Sequence, residues 1–316
     1  MLDAVNIKQA TLIILAGSLC AALFFSMFTN TSIGMILAYM TPYPFLMLGY
    51  TTGIGTVLVT ALLANLTVYL FSTGQLAIYF LLLLVIPSLI IVYIQEQDSE
   101  SFINKIGKTI LTLSIYFILI TIAYNYLLYF QNSSLEIAVM SLKTELLTSL
   151  ENLKQLNADN HIILQAMIHL YFKYLPAFSV ISILMIFSLN WALAYYTVKK
   201  FVKTVPTPGE ISAINFPLWI FIAFIGASVS FFYPSTKISF ILQNITLIFA
   251  FLYLIKGVAF AHLFLNSKTK KLKLLMYILF YIILLLSSWF SLLIIILGVI
   301  DHLFHIRKYI DYKIQI

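Results

Sequence analysis

A lysine and an aspartate are the residues of this chain best placed for chemistry away from water. Lys256 is the one charge well inside an apolar run (YLIKGVAFAHLF), about seven residues or roughly 10 Å from the end of that run. Charges at membrane depth usually face a bundle interior and find a partner. The nearest candidate in depth is Asp301, three residues after Gly298 in the last apolar run, and Gly257 would let the two helices approach. The competing expectation is that Lys256 extends its four-carbon stem to the interface.

Other reactive groups are sparse. His161 and His169 lie eight apart, and His302 and His305 could share a helix face, but no carboxylates complete a metal site. Interfacial histidines are the expectation. The spans hold no paired carboxylates, no Ser-His-Asp elbow and no His-Glu-x-x-His, so no catalytic residue, metal or cofactor is expected, and the chain is not read as an enzyme. Gly53-x-Gly55 lacks the third glycine and preceding strand of a nucleotide loop. Asn65, Asn125, Asn190 and Gln243 are expected to bond between helices, and they are the neutral handles a substrate cavity would use. Single Cys20 excludes an internal disulfide.

The elements that position these groups follow from composition. The chain has 316 residues, 62% hydrophobic and 9% charged, with a mean hydropathy of +1.03. Soluble domains average about 25% charged residues. The apolar runs are continuous rather than alternating, which excludes a barrel. The fold class is therefore all-α: a polytopic transmembrane helical bundle of about ten spans, surrounded by membrane lipid. The expected spans lie near 10–28, 33–48, 51–71, 75–94, 108–130, 176–198, 215–233 and 238–263, with 272–304 folded at Ser287-Ser288-Trp289 into two short spans. The first run reads as an uncleaved span rather than a signal peptide.

Charge orients them. With ten spans and the N-terminus inside, about thirteen basic residues, from Lys8 to Lys313, face inward, and about four (Lys143, Lys154, Lys173 and Lys237) face outward. Both termini are then cytoplasmic. The formal charge of +7 belongs to this positive-inside pattern and not to a nucleic-acid footprint. Three regions follow: an N-terminal bundle over 1–130, an outer helical insert over 131–175, and a C-terminal bundle over 176–316. In the insert, Leu135, Val139, Leu142, Leu146, Leu150 and Leu153 form the stripe of an amphipathic helix.

One span is interrupted. In Thr41–Gly55, Pro42 and Pro44 remove backbone donors, while Gly49, Gly53 and Gly55 remove side chains where a helix or ligand could approach. Irregular backbone at membrane depth survives where it is buried in protein or lines a cavity, so a broken transporter-type span and a kinked structural span are both open. Gly17-x3-Ala21, Ser18-x3-Ala22 and Gly49-x3-Gly53 allow close helix packing, within the chain or onto a separate membrane subunit.

The closing LGVIDHLFHIRKYI, the Lys-Gly-Val span, Phe-Pro-Leu-Trp at 216–219 and the early Pro-x-Pro stretch together resemble the YybS-like family of bacterial membrane proteins. That family's closing pattern is matched by Gly298, Asp301, Phe304, Arg307 and Lys308, with Leu303 and His305 departing from it. The resemblance implies a bacterial cytoplasmic membrane. The first six spans also resemble the substrate-binding S-components of energy-coupling-factor vitamin transporters. That likeness implies a small-molecule-binding bundle docked through its first helix onto a coupling subunit, and carries over no binding residue. Binding or transport with such a partner is the expected function. The alternative is a non-transporting protein that supports envelope assembly or scaffolds other envelope proteins.

Overall fold

The computed structural model describes residues 2–97, 102–130, 134–151, 158–202, 214–233, 237–266, 270–304 and 306. These are almost all helical, with no strand among them. The helices are α1 Leu2–Phe25, α2 Ser32–Tyr39, α3 Pro42–Thr52, α4 Ile54–Phe71, α5 Gly74–Phe80, α6 Ile86–Glu96, α7 Phe102–Phe130, α8 Leu135–Glu151, α9 Ala158–Lys173, α10 Leu175–Phe201, α11 Trp219–Ser228, α12 Lys237–Asn266, α13 Lys270–Leu286 and α14 Ser288–Phe304.

Seven segments are long and apolar enough to cross a membrane: Gln9–Thr29, Ser32–Thr52, Ile54–Phe71, Gly74–Glu96, Lys105–Leu128, Leu175–Phe201 and Ile238–Leu263. The bent pair Leu274–Leu286 and Ser288–Phe304 makes an eighth if it is one span. The chain is an all-helical membrane bundle, with fewer full-length spans than the ten expected. The shortfall lies in two places. Trp219–Phe231 is apolar but short, and the two halves of 274–304 meet at 109° rather than folding back as a hairpin.

The chain forms two compact units, each discontinuous in sequence: residues 1–113 with 183–209, and 114–182 with 210–316. Helices α7 and α10 contribute to both. In the first unit, Phe45, Val57, Ala64, Val68 and Phe80 are buried, while Leu62, Leu66, Leu70 and Phe71 on α4 are exposed as lipid-facing side chains would be. The π-turn Leu81–Val85 precedes Pro87 within one continuous span. A Pro nitrogen cannot bond four residues back, and the slipped register accommodates that loss.

In the second unit, Leu135 and Val139 of α8 pack with Ile168 and Phe172 of α9 and Phe240 of α12. The amphipathic stripe is thus used at its start, whereas Leu142 and Leu146 are exposed. The side chains of Leu150 and Leu153 lie outside the described residues.

Candidate functional site

Helices α12 and α14 cross at glycines. A Cβ on Gly257 would overlap the carbonyl of Ile294, and one on Gly298 would overlap the carbonyl of Tyr253 and come within 2.8 Å of the Gly257 nitrogen. Only hydrogen fits at either position, so the backbones touch. Tyr253 pairs with Gly298 and His302, while Gly257 pairs with Ile294 and Gly298. Advancing along one helix means retreating along the other, so α12 and α14 run antiparallel. A full hairpin of two short spans after α12 would have returned α14 parallel to it. The 109° bend does not.

That close crossing buries polar groups together. Lys256 and Asp301 are 1% and 3% exposed, and the ammonium Nζ lies 3.7 Å from Asp301 Oδ2. Nζ donates a 2.7 Å hydrogen bond to Asn215 Oδ1 on the segment leading into α11. Lys256 therefore ends inside the unit, among an amide and a carboxylate. One turn back, the Tyr253 hydroxyl lies 2.8 Å from His302 Nδ1, and both residues are buried.

His302 is buried within the protein, a contact that the sequence reading did not assign to it. Its neighbour Asp301 and the i, i+3 spacing of Tyr253 and Lys256 were the available signals. Asn215, just before Phe216, carried none. His262 is likewise buried, 2.9 Å from the Tyr281 hydroxyl, whereas His169 meets Lys143 at 2.9 Å with both partners outside the buried core. Tyrosine hydroxyl and imidazole can each donate or accept, so the centre joins an ion pair to a group able to hand on a proton. Among the described residues, no three His, Cys, Asp or Glu side chains converge as a metal site. Arg307 and Lys308 lie outside the described residues.

The Pro–Gly stretch is built differently. Pro42 opens α3 and Pro44 sits in its first turn, where missing donors cost little. The carbonyls they free, four residues back, are satisfied: Ala38 O accepts from the Thr41 hydroxyl at 2.7 Å and Met40 O from the Tyr43 amide at 3.0 Å. Because the Tyr43 amide turns to Met40, Tyr39 O is passed over, and it accepts from Asn190 Nδ2 of α10 at 2.8 Å. The Tyr43 hydroxyl donates to Thr197 Oγ1 at 3.1 Å, and Trp191 Nε1 donates to the Tyr50 hydroxyl.

Thr41, Pro42, Pro44, Phe45, Leu46 and Leu48 are buried, and a Cβ on Gly49 would overlap Val92 of α6. Gly53, at φ +81°, makes the turn into α4, whose first amide (Ile54) donates to Glu96 Oε2 at 3.2 Å. Gly55 has nothing within 4 Å of a would-be Cβ, so no helix approaches there. From Thr41 to Gly49 this is a packed kink.

The remaining handles divide. Asn190 bonds between helices, as does Gln243 to Ser230 O at 3.3 Å, and Asn125 Oδ1 accepts from the first amide of α8 at 3.0 Å. Asn65 Oδ1 is buried with no partner in the protein. It lies beside an open groove of roughly 530 Å³ lined by Leu62, Leu66, Tyr69 and Ile78. Gly17 packs on the backbone of α4, where an added Cβ would lie 3.3 Å from Thr60 O, so the Gly17–Ala21 face is internal; Ser18 and Ala22 are exposed.

Glycine-mediated crossing, buried charge and apolar spans accompany a family match that runs over residues 18–302. The chain belongs to the predicted membrane proteins of family DUF2232. No curated protein and no solved structure matches it. The DUF2232 match covers the Pro–Gly kink, the Lys256–Asp301 pair and His302, and ends just before the basic C-terminal residues.

Proposed function

We propose that this DUF2232 protein resides in a bacterial cytoplasmic membrane, with both termini cytoplasmic, and binds and moves a small molecule or ion without acting as an enzyme. The reading is carried by the buried centre of Lys256, Asp301, His302, Tyr253 and Asn215. Ionisable groups inside a bundle are costly to keep, and they mark ion pathways and proton relays. The closing sequence supports the likeness to the YybS-like family. The likeness to S-components adds a coupling subunit docked on the first helix, where exposed Ser18 and Ala22 would let another helix come close.

The experiment is mild purification followed by mass spectrometry for retained ligand and co-purifying subunits, on the wild type and on a Lys256→Met/Asp301→Asn double variant. Expected is a small polar or charged ligand that the folded double variant no longer retains. Recovery of neither ligand nor subunit from the wild type overturns the transport reading.

A second reading is favoured by one observation. Thr41–Gly49 is densely packed with its freed carbonyls satisfied, which suits a non-transporting protein that supports envelope assembly or scaffolds other proteins. Co-purifying envelope proteins in the absence of any ligand would select it.

A further inference from the structure

The first unit carries an open groove of roughly 420 Å³, within the range of about 300–1,000 Å³ of small-ligand sites. Its long wall is one face of α6, where Ile86, Ile90, Tyr93 and Gln97 follow one another at steps of three or four. From Ile86 to Gln97 the face runs about 16 Å along the helix, which matches one leaflet of a hydrocarbon core about 30 Å thick. The groove is apolar along that length and polar only near one end, at Gln97 and Lys108, with Thr112 one turn farther along α7.

Lys108 is exposed at the rim, and its Nζ donates to Gln97 Oε1 at 2.8 Å, a neutral partner that leaves further protons to give. Lys105 is tied down close by, donating to Gln95 O at 2.9 Å. Among the described residues, the carboxylate at this end is Glu96, and it is turned to the first amide of α4, where a helix N-terminus offsets its charge.

We propose that this groove holds one acyl chain of an anionic phospholipid, with its phosphate at Lys108. The length of the groove fits a chain spanning one leaflet, and the lysine complements a headgroup of net negative charge. A zwitterionic lipid carries its own ammonium and would gain less there.

The test is native mass spectrometry of the full chain titrated with phosphatidylglycerol or phosphatidylcholine, with inorganic phosphate as competitor. Wild type should bind phosphatidylglycerol about five-fold more tightly, the scale of one lysine near a phosphate. Lys108→Gln should bring phosphatidylglycerol down to the phosphatidylcholine level, and Lys108→Arg should keep the preference. Ile90→Trp, which fills the groove, should weaken both lipids, and free phosphate should not compete. Equal binding of the two lipids by wild type, or a preference that survives Lys108→Gln, overturns the proposal. So does displacement by free phosphate, which would make it an anion site without a lipid chain.

Discussion

Gly49 of the first compact unit and the Gly257–Gly298 pair of the second meet different neighbours. Gly49 faces the side chain of Val92, at a kink whose freed carbonyls are taken up by Thr41 and Tyr43. Gly257 and Gly298 in the second face each other's backbone, and the contact closes over Lys256, Asp301 and His302. A break in a membrane helix can thus be resolved with neutral groups and leave nothing reactive behind. The crossing of α12 with α14, beyond the bend at Ser287, holds instead a buried ion pair. Irregular backbone signals shape; intramembrane charge signals chemistry.

The largest expected effect is all-or-none. Reporter fusions at Thr269 and at the C-terminus should report opposite faces of the membrane, because α12 and α14 run antiparallel. The same face for both would mean that 272–304 is a full hairpin, as loop charges alone suggest, and would remove the crossing from the comparison.

Next come the charges. Removing one partner of a buried pair typically costs about 3–5 kcal/mol, because the other is stranded. Lys256→Met and Asp301→Asn should each lose stability on that scale in detergent unfolding, and the double variant should lose less than the sum. Strict additivity would mean that the two side chains are independent, leaving an accident of packing.

The glycines sharpen the contrast directly. Gly298→Ala must move backbone, and should cost about 3 kcal/mol, at the top of the usual range for overpacking. Gly49→Ala meets the Val92 side chain first and should cost about 1–2 kcal/mol, with most of it restored by Val92→Ala. Failure of that rescue would place the strain in backbone at both sites and erase the difference.

The apolar runs made the helical membrane class legible, because no soluble or barrel pattern shares that composition. The Lys256, Gly257, Gly298 and Asp301 set was also visible, since charge and glycine stand out against Leu and Ile. Hidden were the groups whose role depends on long-range partners. Asn190 serves Tyr39 across 151 residues, and Asn215 serves Lys256 across 41. Apolarity also overstated the span count. Length within a run does not reveal how far the axis bends, and Ser287 marks a 109° turn that the length of the run had presented as a full return.

The smallest effects separate two glycines two residues apart. Gly53 holds φ +81° and ψ 176°, a conformation essentially reserved for glycine, and its would-be Cβ lies 2.9 Å from Glu96 Oε1. Gly53→Ala should therefore cost about 1–3 kcal/mol. Gly55, in the first turn of α4, has ordinary helical surroundings and open space around it. There an alanine loses nothing by contact and gains helix propensity of up to about 1 kcal/mol over glycine, less so near a helix end. Gly55→Ala should thus be neutral or slightly stabilising, read as an unchanged or raised midpoint in thermal unfolding. If it destabilises as much as Gly53→Ala, a partner absent from the folded chain itself must occupy that open face. The N-terminal turn would then belong with the functional crossings and not with the structural kinks.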